Sequence, residues 1–335
     1  MYKINELHSK SLVRYFQEYP LVVEGANGGL GLSIAVALSH LRVTIPSLLL
    51  TTWNSEPDEI WKTLADKITV IKRSRDIFAS NMLSNFFSSE GVANVLYLAG
   101  DGQPRKFGEE PLKTINSNVS QLLQYVDHLH KINSFAFSST TELFTDHSGL
   151  INESDTPGSK TQHPRSVYIE SKRLGEAIVR NVFSKQSRQG RFVVYRVALA
   201  FPPKLLISDT RVLADLMKSA LFDGRVVLHG GGSQMRQYQF GPDAALQIIS
   251  SLANGTSTLY NVSGSFCVSL AELARLVGRI TGRPVEIREI NVDDSAPSVV
   301  SVANSLVMNE GGLSMNDDDS LETHLKAIFE NFNPS

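Results

Sequence analysis

Tyr168 and Lys172 stand four residues apart in a stretch, Ser166 to Ser184, whose apolar spacing predicts a helix, so both fall on one face of it. A phenol has an ordinary pKa of about 10 and is a poor base at neutral pH. A neighbouring ammonium, or another positive charge held close by, would favour its phenolate, which could then take the proton of an alcohol. The hydroxyl of Thr140 closes the predicted strand Phe135-Ala136-Phe137 and its trailing Ser138-Ser139-Thr140, where it could orient that alcohol. A Tyr and a Lys at this spacing are usually plain helix surface. What sets this pair apart is a glycine-rich turn upstream, Gly25-Ala26-Asn27-Gly28-Gly29-Leu30-Gly31. It follows the apolar Leu21-Val22-Val23 and opens a helix that runs from Gly31 to Leu41. Glycines there permit a tight turn, and the helix start offers N–H groups to a pyrophosphate.

The elements that must carry these groups alternate. Strands are predicted at Leu21–Val23, Thr44–Trp53, Ile68–Lys72, Val92–Ala99, Phe135–Phe137 and Arg191–Leu199. Helices are predicted at Gly31–Leu41, Asp58–Lys67, Ile77–Ser88, Lys113–Lys131 and Ser166–Ser184. This alternation predicts an α/β fold, a Rossmann-like doubly wound parallel sheet. After Phe201-Pro202-Pro203 the rhythm changes: helices at Asp209–Leu221, Pro242–Ala253 and Ser269–Thr281, brief strands at Val226–His229, Leu259–Val262 and Val285–Ile290. The expected organisation is an N-terminal arm over 1–20, a dinucleotide-binding domain over 21–200 and a smaller α+β substrate lobe over 201–335, with exchanges of chain between the two lobes allowed.

Composition excludes several classes. The 335 residues are 42% hydrophobic and 20% charged, as in ordinary globular chains. With 32 Lys and Arg against 34 Asp and Glu, the net charge of -2 gives no electrostatic case for nucleic acid or an anionic membrane. No apolar run approaches the roughly 18–20 residues that span a bilayer, and Met1 to Glu6 lacks a secretory apolar core. A single cysteine, Cys267, excludes an internal disulfide and suits a reducing cytoplasm. The 8 histidines are scattered, and His128 and His130 point two ways on a helix, so no catalytic metal is expected. His229-Gly230-Gly231-Gly232 imitates an esterase turn, but the chain has no Gly-x-Ser-x-Gly elbow. Asn316 to Ser320 reads as a solvated loop.

In order and spacing these segments resemble the extended short-chain dehydrogenase/reductases of the NAD-dependent epimerase/dehydratase family, over roughly Leu21 to Ile290. Tyr97-Leu98-Ala99-Gly100 resembles the fourth-strand segment beside the cofactor, Asn118 the asparagine of the following helix, and Ser138-Ser139-Thr140 the segment with the catalytic hydroxyl. Tyr168-Ile169-Glu170-Ser171-Lys172 matches Tyr-x-x-x-Lys, and Gly230 to Arg236 resembles the segment whose arginine meets the substrate diphosphate. Thr140-Thr141-Glu142 resembles a segment shared by UDP-glucuronate decarboxylases and GDP-mannose dehydratases, while Pro164 to Arg173 and Asp209-Thr210-Arg211-Val212 are similar to the decarboxylases.

The resemblance implies catalytic roles for Tyr168, Lys172, Thr140 and Glu142. It implies cofactor contacts by Gly25, Asn27, Gly28, Gly29, Leu30, Gly31, Thr51, Thr52, Leu98, Ala99, Gly100, Ser138, Tyr168 and Lys172. Substrate contacts would come from Thr140, Thr141, Glu142, Arg165, Arg211 and Arg236. It also implies a nucleotide-sugar substrate, a 4-keto intermediate and a homodimer through Lys113–Lys131 and Ser166–Ser184. The reaction alternatives are 4-epimerisation, 4,6-dehydration and 4-ketoreduction; the alternative of another class is a non-catalytic dinucleotide sensor.

Some positions depart from the family. Thr141 replaces the first acid of a dehydratase pair, Phe144-Thr145 the usual Tyr-Gly, and Leu199 an asparagine. The second strand ends in Thr51, Thr52, Trp53 and Asn54 with no ribose-binding carboxylate, while Arg73 and Arg75 could meet a 2′-phosphate. The cofactor expected is therefore NAD or NADP.

Overall fold

Leu21–Glu24, Leu48–Thr52 and Ala93–Tyr97 are buried along their whole length, as parallel strands covered on both faces must be. The computed structural model describes residues 1–73, 79–100, 102–147, 149–187, 190–288, 301–316, 319–330 and 332. In it these strands lie within a seven-stranded parallel sheet. The order is Leu259–Val262, Arg191–Val197, Ile132–Thr140, Ala93–Tyr97, Leu21–Glu24, Leu48–Thr52, Ile68–Lys72. The chain runs outward from Leu21–Glu24 to one edge, then crosses to Ala93–Tyr97 and proceeds to the other. That reversal opens a crevice at the carboxyl ends of these two strands, where such sheets hold ligands.

One face of the sheet carries helices Gly29–His40 and Gly241–Asn254, and Glu6–Glu18 lies outside them. Leu12 and Phe16 of that outer helix are fully buried in the same core as Ile34, Leu38, Ile248 and Ile249, so the first twenty residues form a packed layer. The other face is sealed by Phe87, Leu122, Tyr125, Phe135, Phe183 and Phe192. A separate small core joins helices Val212–Phe222, Leu270–Thr281 and Leu321–Glu330 to strands Val226–His229 and Met235–Phe240. The sheet takes its seventh strand, Leu259–Val262, from beyond Phe201, so chain passes back from the small lobe to the large one.

Several elements differ from expectation. The helix expected over Lys113–Lys131 is broken into an α segment Pro111–Ile115, a π turn Asn116–Ser120, a short α segment Gln121–Leu123 and a 3-10 stretch Val126–Lys131. The Tyr97 hydroxyl donates to the Ser117 carbonyl at 2.5 Å, and the widened turn brings Asn118 to full burial. Ser166–Ser184 is likewise an α-helix, Ser166–Ile178, followed by a π turn at Val179–Phe183. Asp58–Lys67 contracts to a 3-10 turn, Glu59–Thr63, capped by the Asp58 carboxylate. Leu199–Phe201, Met235–Phe240 and Phe266–Ser269 form a three-stranded sheet that hydrophobic patterning did not reveal. The strand expected to end at Ile290 is seen as Val285–Arg288, and its last two residues lie outside the described ones.

Candidate active site

The glycine turn occupies the crevice between Leu21–Glu24 and the helix Gly29–His40, whose N-cap, Gly28, supplies no side-chain cap to the first turn. Such a helix start is an anion site. A Cβ at Gly31 would stand 2.5 Å from the Ala26 carbonyl oxygen, so only glycine lets the helix close on the turn. The turn is held from below. The Ala26 N–H donates to the Thr51 carbonyl at 2.9 Å, and the Gly25 N–H donates to the Thr51 hydroxyl at 3.0 Å. That hydroxyl in turn donates to Glu24 at 2.6 Å.

Glu24 accounts for where Thr51 and Arg73 are held on the ribose side of the crevice. Its carboxylate is fully buried and accepts from Thr51, from the Tyr125 hydroxyl at 2.7 Å and from Arg73. Arg73 also donates to Gln124 at 2.8 Å. The side chain expected to meet a 2′-phosphate is therefore enclosed and committed to a buried ion pair; Arg75 lies outside the described residues. Thr51 and Thr52 turn their hydroxyls inward, the second to the Ser55 carbonyl, and neither lines the cleft. Asn27 lines it, yet its amide binds the loop Ser55–Asp58 through Ser55, Glu56 and the Asp58 N–H.

Across the crevice, Lys172 is buried and its ammonium donates to the Ser138 carbonyl at 2.7 Å and to that of Ala99 at 3.2 Å. Burial lowers its pKa from 10.5 to about 7. Asn118 donates to the Ser171 hydroxyl at 3.0 Å, which donates to the Tyr168 carbonyl at 2.9 Å. The Asn118 Oδ1 is buried without a hydrogen-bond partner. Gly100, with φ of 136°, leaves open the space above both: a Cβ there would meet Asn118 Oδ1 at 2.5 Å and Lys172 Nζ at 2.8 Å.

Tyr168 lies flat against Phe107, centroids 4.3 Å apart with planes at 3°. Phe107 comes from the short helix Pro104–Glu109, which carried no motif and went unanticipated. Behind the strand end, the buried Glu176 carboxylate accepts from Ser139 at 2.6 Å and from both Arg196 Nε and Nη2 at 3.0 Å. This buried triad fixes the strand end that presents Thr140.

The Thr140 hydroxyl accepts the Glu142 N–H at 3.2 Å and so caps the 3-10 turn Thr141–Phe144. That turn sets Glu142 in the cleft, where Oε1 accepts from Arg165 Nη1 at 2.9 Å while Oε2 is buried with no partner. The cleft, about 670 Å³, brings together Gly28 to Gly31, Leu98, Gly100, Ser138, Thr140, Thr141, Glu142, Arg165, Tyr168, Lys172, Arg211 and Arg236. Gly25 and Ala99 lie beneath it, the Ala99 backbone closing on Gly25. Arg211 is pinned by Asp209 and by the Ala200 carbonyl beside Gly29. Arg236 donates to the Met235 carbonyl. Leu199, which stands where the resembled family carries an asparagine, lines the same wall.

These residues fit a dinucleotide. The uncapped glycine-rich helix start suits a pyrophosphate, and the gap above Gly100 leads to the buried Asn118 oxygen and to Lys172. Tyr168 on the same wall carries a phenol, a group with the chemistry to exchange a proton with an alcohol.

The sequence profile of the NAD dependent epimerase/dehydratase family matches residues 21–263. The chain is 23% identical over 198 residues to UDP-glucuronic acid decarboxylase 1 of Xenopus tropicalis, an overlap of 58% of this chain and 47% of that relative. It thus spans about half the length of the curated relatives it matches. Among solved structures, UDP-glucose 4-epimerase of Thermotoga maritima with UDP-glucose superposes with a TM-score of 0.76 at 20% identity, covering 93% of this chain and 97% of that one. UDP-glucuronic acid 4-epimerase of Bacillus cereus, with UDP-glucuronic acid and NAD, gives 0.76 at 19% identity and covers 93% and 98%. Both confirm the fold. Among the described residues no helix is long and apolar enough to cross a membrane.

Proposed function

The chain belongs to the NAD dependent epimerase/dehydratase family, and from that membership we propose that it oxidises a nucleotide sugar at C4 and decarboxylates the resulting 4-keto uronate, with NAD as its cofactor. The observation that carries the decarboxylase reading is the Glu142–Arg165 pair in the cleft that holds Tyr168 and Lys172. A guanidinium next to a catalytic carboxylate suits a sugar that brings a carboxylate of its own.

In this reading Gly28 to Gly31 bind the pyrophosphate and Lys172 holds the nicotinamide ribose. The withdrawal of Arg73 into the Glu24 pair removes one partner for a 2′-phosphate and favours NAD. A nicotinamide held there would supply the acceptor, and later the donor, of the C4 hydride. Tyr168, steadied by Lys172, takes the C4 hydroxyl proton, and Thr140 orients the same oxygen. With C4 a ketone, the C5 carboxylate is β to a carbonyl. Loss of carbon dioxide breaks the C5–C6 bond and leaves its electron pair in an enolate, whose oxygen Tyr168 and Thr140 stabilise. C5 then takes a proton from water, and Tyr168 returns its proton to the C4 oxygen as C4 is reduced again. Glu142 and Arg165 orient the departing carboxylate, while Arg211 and Arg236 reach towards the diphosphate.

The test is product analysis by mass spectrometry after incubation with NAD and with UDP-glucuronate or UDP-glucose. Release of carbon dioxide with formation of a nucleotide pentose supports the reading. Recovery of the C4 epimer alone would replace it with a 4-epimerase, which needs only Thr140, Tyr168 and Lys172; cofactor binding with no sugar turnover would replace it with a sensor. Glu142→Gln is expected to keep C4 oxidation, seen as a transient in nicotinamide absorbance, while carbon dioxide release falls about a hundredfold.

We also place the enzyme in the cytoplasm as a homodimer. In support, Leu112 (80% exposed), Leu123 and Leu174 stand out on the helical segments Pro111–Ile115, Gln121–Leu123 and Ser166–Ile178 of one sheet face. Leu112→Glu with Leu174→Glu is expected to convert a dimer to a monomer by light scattering. An unchanged mass would remove this surface from the interface.

A further inference from the structure

Away from the nicotinamide side of the cleft, Asp243, Asp319 and His324 each bring a ligand atom within 4.8 Å of the others. Asp243 comes from the first turn of helix Gly241–Asn254, His324 from helix Leu321–Glu330, and Asp319 from the segment leading into that helix. Asp319 belongs to a stretch expected to be solvated, yet its side chain is 3% exposed; those of Asp243 and His324 are 1% and 8% exposed. The flanking Asp317 and Asp318 lie outside the described residues.

The contacts show what the cluster holds and what it lacks. His324 Nε2 pairs with Asp319 Oδ1 and stands 3.8 Å from Asp243 Oδ2. The Tyr2 N–H donates to Asp243 Oδ1 at 2.5 Å, and the Met1 ammonium is 4.0 Å from the same oxygen. The other Asp319 oxygen, Oδ2, is buried with no hydrogen-bond partner. Two enclosed carboxylates are costly unless matched by positive charge. The unpartnered oxygen marks where a match is missing. The His324 ring is held in orientation by stacking on Phe240, centroids 4.1 Å apart at 17°, as the imidazole of a built ligand set would be.

We propose that Asp243, Asp319 and His324 form a structural site for a divalent transition-metal cation. One imidazole nitrogen and two carboxylate oxygens suit Zn2+ or Mn2+ better than Mg2+, which favours oxygen ligands and retained water. Ligand atoms about 2.0–2.2 Å from a shared cation stand roughly 3.3 Å apart, so small side-chain rotations bring three protein ligands onto a cation whose fourth position a water would take. A cation there ties the C-terminal helix to helix Gly241–Asn254 and braces the back of strand Met235–Phe240, which carries Arg236. The site takes no part in hydride transfer and does not depend on the nucleotide-sugar reading.

Untagged full-length protein, stripped with chelator and dialysed, tests this with Zn2+ by calorimetry and elemental analysis, and with Co2+ by its visible absorption. One equivalent of Zn2+ per chain is expected. The melting temperature should rise by about 4 °C at a hundredfold excess over Kd. His324→Gln and Asp319→Asn should each abolish uptake and the thermal response while their metal-free forms melt cooperatively. Mg2+ should not substitute. A wild type that takes up no stoichiometric Zn2+, or one whose uptake survives both substitutions, overturns the proposal and leaves an internal ion-pair cluster.

Discussion

Tyr168→Phe is expected to lower turnover by about 10²–10⁴-fold, the usual worth of a positioned acid–base group, with folding and dinucleotide affinity kept. The substitution removes one oxygen. The ring that stacks on Phe107 is retained, as are the Lys172 contacts with Ser138 and Ala99. Steady-state rates and cofactor titration together check it; normal turnover in the variant would end the proposed chemistry. The pH profile of the wild type sharpens the test. Burial holds Lys172 to a pKa of about 7, so in the absence of a phenolate its charge is lost as pH rises through neutrality. Proton abstraction by Tyr168 is favoured in the same direction, so the competent pair shares one proton. A bell-shaped kcat/KM is expected, its apparent constants belonging to the pair, and Lys172→Met should lose the alkaline limb.

The same lysine contributes to stability with a definite sign. Its folded pKa lies below its unfolded value of 10.5, so between these two values the unfolded chain binds more protons. Its contribution therefore rises with pH from about 7 towards 10.5 and falls away on the acid side. A bound phenolate or anionic cofactor group would restore the charge and oppose this trend.

Much of the fold and the cleft was legible because local chemistry and global fold agree there. The glycine turn, the strand-end hydroxyls and the Tyr–Lys spacing are short-range patterns, and each lies where the parallel sheet demands. The missed features depend on long-range partners. Nothing near Glu24 in sequence announces that Arg73, 49 residues on, will bury itself against it. A carboxylate beside the glycine turn combined with an unexplained arginine after the third strand was the available signal. The breaks at Asn116–Ser120 and Val179–Phe183 follow from packing around Asn118 and Phe183, which helical periodicity does not encode. Phe107 sits in a helix of six residues, too short for a hydrophobic pattern, and only the stacked Tyr168 reveals its part. The strands Leu199–Phe201, Met235–Phe240 and Phe266–Ser269 escape for a different reason, because their pairing joins segments far apart in the chain.

Gly31→Ala is expected to abolish dinucleotide binding, raising Kd by a hundredfold or more, and to lower the melting temperature by a few degrees. The new Cβ would sit 2.5 Å from the Ala26 carbonyl oxygen and closer still to that of Gly25. Neither obstacle is a flexible side-chain end. Both are backbone, fixed by the Ala26 N–H bond to Thr51 and by the Trp61 indole N–H, which donates to the Ala26 carbonyl at 3.2 Å. Relief requires the helix Gly29–His40 to withdraw from the turn, which spoils the N–H cradle that suits a pyrophosphate. Overpacking of this kind costs about 1–3 kcal/mol, enough to melt earlier without unfolding at room temperature. Gly29→Ala is the control for packing, because the nearest atoms to its Cβ would be the Pro202 side chain at 3.4 Å and Arg211 Nη2 at 3.8 Å, both ordinary contacts. It should melt with the wild type. If Gly31→Ala binds NAD as tightly as the wild type does, the dinucleotide does not lie on this turn, and Tyr168 and Lys172 lose the partner that their chemistry requires.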